Sequence, residues 1–176
     1  MESIIQDWGY LALFLYSFGG GMLGLAVAGF FAFNGDLNIV YVIIVAFVSN
    51  FLGDQFLFTI ARNNKDYAKQ MMQKHKRKIA LSHLMIRKYG SLVVFIQKYL
   101  YGIKTLIPLA MGLSKYDKRK FIIFNIFASI IWSVVVGLTA YILGDLFIDL
   151  IEEFKIYAIA ILVILVLLIL RFVRKY

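Results

Sequence analysis

The chain has 176 residues, of which 62% are hydrophobic and 16% charged, with one proline and no cysteine; its mean hydropathy is +0.82. A composition this apolar excludes an ordinary soluble domain and reads as an all-α integral membrane protein, and the absence of cysteine excludes disulfide and thiolate chemistry. The net charge of +9 argues against a nucleic-acid partner once its distribution is considered. Arg62–Lys88 carries nine Lys/Arg against one Asp, Lys115–Lys120 four against one, and the chain ends RFVRKY, whereas Glu2, Asp7 and the Asp145–Lys155 connection are acidic. Positive charge at alternate ends of apolar runs is the positive-inside pattern, and it puts these three basic segments, the C-terminus included, on the cytoplasmic face.

In chain order, Trp8–Ser17 is apolar and is followed by Phe18-Gly19-Gly20-Gly21-Met22-Leu23-Gly24 and then Leu25–Phe33. The acidic flank disfavours a cleaved signal peptide. One long span with a weakened middle and two half-helices folding back at the glycines are both compatible with the run. Four glycines in six positions favour the second, a re-entrant hairpin with its open backbone buried in protein.

Asn34-Gly35-Asp36 turns the chain into Ile39–Ile60, about 22 residues and near 33 Å as helix, enough for one crossing. Ser49, Asn50, Gly53, Asp54 and Gln55 make that span face a bundle interior, or else Asp54 ends the helix among headgroups. Arg62–Lys88 follows, read either as a solvated linker or as a short amphipathic helix over Tyr67–Lys78. His75 and His83 fall in this segment, away from carboxylates, so no metal site is expected.

Leu84–Tyr89 and then Ser91–Gly112 bring the chain back to apolar sequence. If the basic segments flanking it are both cytoplasmic, it enters and leaves on one side, and Gly90, Gly102, Pro108 and Gly112 supply the turns of a second re-entrant hairpin. Lys98, Tyr99, Tyr101 and Lys104 lie near its tip. A charged amine at membrane depth costs about 2.5–3.5 kcal/mol on insertion scales, so two of them require a protein-lined cavity, a partner or an escape to the headgroups. Phe121–Leu143 is a clean span containing Asn125, Ser129 and Trp132, and Ile156–Val173 reads as a last, uniformly aliphatic one.

The expected architecture is therefore two re-entrant hairpins, each followed by a transmembrane helix, with a C-terminal transmembrane helix added. It forms one domain over residues 1–176, with its core at about 8–144 and the last span at 156–173. Hairpins entering from opposite faces make an inverted repeat, an arrangement in which broken helices place a substrate site between the two halves.

Phe95, Gly102, Thr105, Pro108, Gly112, Phe121, Asn125 and Trp132 fall in the order and spacing of the DedA family, also described as SNARE-associated or VTT-domain membrane proteins. Gly53-Asp54, Arg62 and Ala28-Gly29 match further family positions, and the chain resembles the family over about Trp8–Gly144. It departs from the family pattern where two arginines become Lys98 and Lys104, where a proline becomes Tyr101, and where the first hairpin's Pro-Ser/Gly-Glu aligns with Gly20-Gly21-Met22.

What the resemblance implies is a multi-pass protein of the bacterial inner membrane. Its activity would be transport or translocation of phosphate-bearing lipids, an anionic phospholipid or undecaprenyl phosphate, in support of the envelope and in some members coupled to protons. Lys98 and Lys104 are the expected phosphate contacts, and Asp54 is their counter-charge or a proton site. Gly20, Gly21, Gly29, Gly53, Gly102, Pro108, Gly112 and Asn125 are the expected hairpin and packing positions. A structural Asp54–lysine pair and a non-transporting, lipid-organising scaffold are the competing readings. No cofactor, catalytic residue or enzymatic activity is expected, and homo-oligomerisation is left open.

Overall fold

The computed structural model of the protein describes residues 2–66, 68, 70, 76–100, 102–114 and 116–146. Within these residues the fold is wholly helical. Its helices are α1 (Glu2–Phe18), α2 (Met22–Phe33), α3 (Ile39–Asn63), α4 (Lys76–Tyr89), α5 (Val93–Ile96), α6 (Leu106–Leu113) and α7 (Lys118–Ile142), with single 3-10 turns at Gly90–Leu92 and Gln97–Tyr99. The span expected at 156–173, residue 101 at the second tip and most of the amphipathic helix read over 67–78 lie outside the described residues. The chain forms two compact units, Met1–Tyr141 and Ile142–Tyr176, and the packing and site described below are internal to the first.

Local chemistry explains where the helices start and stop. Gly20, at φ +86°, takes a left-handed backbone that other residues adopt only at a cost, and it divides α1 from α2. The Asn38 side chain accepts from Val40 N–H at 2.9 Å, capping α3, while Asn38 N–H donates to the Tyr10 hydroxyl at 2.8 Å and ties that start to α1. Asp117 caps α7 by accepting from Lys120 N–H at 2.8 Å. Pro108 stands in the first turn of α6, where its missing N–H breaks no helical bond.

Among the described residues three helical runs are long and apolar enough to cross a membrane: Ile39–Asn63, Arg77–Tyr99 and Lys118–Ile142. The first and last match the expected spans. The middle one differs from the sequence reading, which began the apolar return at Leu84 and left a linker open for what precedes it. Helix is already under way at Lys76 because Ile79, Ser82, Met85 and Ile86 share one inward face, while Arg77, Lys78, Arg87 and Lys88 remain exposed. Trp8–Phe18 and Met22–Phe33 are apolar but too short to span, so the first apolar run is two helices.

The short helices lock across the long ones. On α2, a Cβ added to Gly29 would press on Ala140 Cβ and the Gly137 carbonyl of α7; on α6, one added to Gly112 would strike the Phe58 carbonyl and Ala61 of α3. Each of these short helices thus packs on a long helix distant from it in sequence. Gly53 lets α3 approach the Phe18 carbonyl at the end of α1. Leu13, Leu25, Val42, Ala46 and Trp132 belong to one apolar cluster, and Phe58, Met85, Ile107, Met111 and Phe121 belong to another. Phe58 and Phe121 stack with ring centroids 4.3 Å apart. Asn50 and Asp54 fall between Ala46 and Phe58 along α3, and Asn125 and Ser129 fall between Phe121 and Trp132 along α7. These four buried polar residues therefore lie between the two clusters.

Candidate anion site between two helix breaks

Asn50/Asp54 and Asn125/Ser129 are i, i+4 pairs, so each presents two polar groups on one helix face. The turn Gln97–Tyr99 directs Gln97 and Lys98 inward between those faces, and both are buried. Lys98 Nζ donates to Asn50 Oδ1 at 2.5 Å, Asp54 Oδ2 at 2.6 Å, Ser129 Oγ at 2.8 Å and Asn125 Oδ1 at 2.9 Å. An ammonium has three protons, so these four acceptors saturate it. Gln97 Nε2 also donates to Asp54 Oδ2, at 3.2 Å, and Asn125 Nδ2 donates to the Phe51 carbonyl at 3.2 Å. The Lys98 side chain is 0% exposed and that of Asp54 4%.

Lys104 differs in kind. It is 6% exposed, yet its ammonium has no hydrogen-bond partner among the described residues. It lies 4.9 Å from the centroid of the Trp132 ring, a cation–π contact that offsets only part of its desolvation. The end of its side chain reaches across to Gly20. Trp132 Nε1 and Gln97 Oε1 are likewise buried without a partner among the described residues.

The breaks at residues 19–21 and at 100 and 102–105 border an open cavity of about 500 Å³, lined by Tyr16, Gly20 and Met22 from one side and Lys98, Tyr99 and Lys104 from the other. Beside it runs an apolar groove of about 360 Å³ between α1 and α2, bordered by Trp8, Ala12, Gly24, Val27 and Phe31. Tyr16 borders both. Its ring lies across Gly21 and Gly24, where any Cβ would strike it.

Asp54, Lys98 and Asn125 thus converge in one network, Lys104 and Gly20 meet at the cavity, and Gly102, at φ +80°, turns the second break. Gly29, Gly53 and Gly112 make helix crossings. Arg62 is apart: it donates to the Tyr116 carbonyl at 2.5 Å and covers the Phe58 ring at 5.1 Å. Sequence reasoning did not single out Gln97, Asn50 or Ser129 as site residues, or Tyr16. The i, i+4 spacing within two apolar spans was the available signal for Asn50 and Ser129. Among the described residues no three His, Asp or Glu converge as metal ligands.

These features define a multi-pass helical membrane protein with an open cavity bordered by two buried lysines. The VTT-domain family profile matches residues 15–142, and the chain belongs to that family, the DedA family. It is 24% identical over 145 residues to the inner membrane protein YohD of Escherichia coli strain K12, covering 82% of this chain and 76% of that one. It is 26% identical over 116 residues to undecaprenyl phosphate transporter A of Bacillus subtilis strain 168, covering 63% and 58% of the respective chains. Undecaprenyl phosphate transporter A of Staphylococcus aureus strain NCTC 8325 is 23% identical over 195 aligned positions, covering 100% of this chain and 96% of that one. No solved structure matches significantly.

Proposed function

We propose that the protein moves a phosphate-bearing lipid, a polyprenyl phosphate or an anionic phospholipid, across a bacterial inner membrane, as a transporter and not an enzyme. The observation that carries this reading is the Lys104 ammonium, buried at a cavity and without a hydrogen-bond partner among the described residues. A buried cation left unpaired is costly, and an anionic group would relieve the cost. Two things favour a lipid as its source: an apolar groove adjoins the cavity through Tyr16, and two similar proteins are named undecaprenyl phosphate transporters.

In this reading Lys104 is the first phosphate contact. Lys98 stands behind it, its charge offset by Asp54, which serves as counter-charge rather than as proton carrier. The helix–turn–helix units α1–α2 and α4–α6 are re-entrant hairpins entering from opposite faces, and the chain is one domain with a cytoplasmic C-terminus. The saturated Lys98–Asp54 network favours a second reading, a lipid-organising scaffold that transports nothing.

The full chain, reconstituted in liposomes carrying fluorescent polyprenyl phosphate or phosphatidate, separates the two. Wild type is expected to bring the probe to the far leaflet, and Lys104→Gln to slow this about tenfold or more, the worth of one charge-assisted contact. Binding without movement supports the scaffold. Equal movement by wild type and Lys104→Gln sinks the role given to Lys104.

A further inference from the structure

We infer that the N-terminus of α2 completes a phosphate cradle with Lys104, the backbone N–H groups of Met22, Leu23 and Gly24 donating to the phosphate oxygens. This rests on the reading of the cavity as a lipid-phosphate site. The first turn of a helix leaves its N–H groups without intrahelical acceptors. In α3 and α7 a side chain caps that end, from Asn38 and Asp117 respectively. In α2, a helix of 12 residues, the cap position is Gly21, no side chain caps it, and the first turn holds no acidic residue.

Gly20 and Gly21 turn their own N–H groups back onto α1, to the Ser17 carbonyl at 2.9 Å and the Tyr16 carbonyl at 3.2 Å. The next three N–H groups have no acceptor among the described residues. Their end of the helix opens on the cavity, which Gly20, Gly21 and Met22 border together with Lys104. The unpartnered Lys104 ammonium is the independent sign that an anion belongs there: it is more than nine-tenths buried and reaches the first break beside Gly20.

Three unpartnered N–H groups at the positive end of a helix, with an ammonium beside them, suit a tetrahedral dianion. A phosphomonoester offers three free oxygens and up to two charges, whereas a phosphodiester offers two oxygens and one charge. The cradle therefore selects lipids ending in a phosphomonoester, such as a polyprenyl phosphate or phosphatidate, over diesters such as phosphatidylglycerol. Met22 is decisive because a glutamate in its place would put a carboxylate over the same N–H groups.

The test measures binding of undecaprenyl phosphate, phosphatidate, phosphatidylglycerol and inorganic phosphate to the purified full chain in detergent. The lipid monoesters are expected to bind about tenfold or more tighter than the diester. Met22→Glu is expected to weaken them about tenfold or more without lowering the melting temperature, since an acidic residue suits a helix start, while Met22→Gln retains binding. Met22→Pro, allowed at a first helical position after the extended Gly21, removes one donor and is expected to cost about fivefold or more. Monoester binding by Met22→Glu and Met22→Pro equal to that of Met22→Gln overturns the cradle while leaving the transport reading intact. Inorganic phosphate bound as tightly as lipid monoesters, and lost in Met22→Glu, supports the cradle and removes the lipid reading. No binding of any probe by wild type overturns both.

Discussion

The end of the Lys104 side chain fills the space that a side chain on Gly20 would occupy. The second helix break thereby reaches into the first, and the left-handed backbone of Gly20, φ +86°, serves both to turn the chain and to make room for a cation. Gly20→Ala is accordingly expected to act twice. The backbone strain costs about 1–2 kcal/mol, and the new methyl displaces the ammonium from the cavity. Lipid movement should fall further than stability, because the flexible lysine arm can yield where the backbone cannot. In a cycle with Lys104→Ala the loss of transport should be strongly non-additive; independent effects in liposome assays and thermal melts would separate the two residues.

Lys98 and Asp54 are predicted to behave as a structural pair. Removing one partner of a buried ion pair leaves the other charge uncompensated, at about 3–5 kcal/mol. Lys98→Met and Asp54→Asn should therefore each lower the melting temperature of the purified protein sharply. The double substitution should be milder than the sum of the two, since it buries no lone charge. If Lys98→Met instead melts like wild type while abolishing lipid movement, Lys98 contacts substrate and is not held by its network.

Much of this arrangement was legible from residues that do not belong in apolar runs. Asp54, Lys98 and Asn125 each interrupt a span, and burial at membrane depth leaves such groups little choice but to meet. The glycines at 19–21 announced the first break for an equally local reason. What could not be read was the difference between Lys98 and Lys104. As sequence they are two equivalent lysines in one hairpin, and their fates are set by neighbours on α3 and α7 in one case and by Gly20 and Trp132 in the other. The start of α4 was hidden by composition: Lys76, Arg77 and Lys78 dominate the window, while the apolar face carried by Ile79, Met85 and Ile86 is narrow.

The helix crossings supply a stability prediction independent of the site. Gly112 on α6 approaches the Phe58 carbonyl of α3, and Gly53 on α3 approaches the Phe18 carbonyl of α1. In both cases the obstacle is backbone, which cannot swing aside as a side chain can. Gly53→Val and Gly112→Val are each expected to destabilise by at least about 1–3 kcal/mol, the usual cost of overpacking. Gly35→Val is the informative comparison: a Cβ there meets nothing within 4 Å, and only its φ of +86° opposes the change. Equal melting temperatures for all three would deny the close crossings.

The topology can be tested with the protein's own composition, since the chain has no cysteine to remove. Arg77, Tyr99 and Asp117 are convenient positions for single cysteines: Arg77 opens the middle apolar run and Tyr99, 48% exposed, closes it, while Asp117 precedes α7. If α4–α6 is re-entrant, an impermeant thiol reagent applied to oriented vesicles should label all three from one face, with Tyr99→Cys slowest because it lies deepest. If Arg77–Tyr99 instead crosses the bilayer, Tyr99→Cys will label from the face opposite to Arg77→Cys. The same comparison at Leu23, 62% exposed at the start of α2, should give the other face if the two hairpins are inverted. Labelling of Leu23→Cys and Tyr99→Cys from one face would remove the inverted repeat.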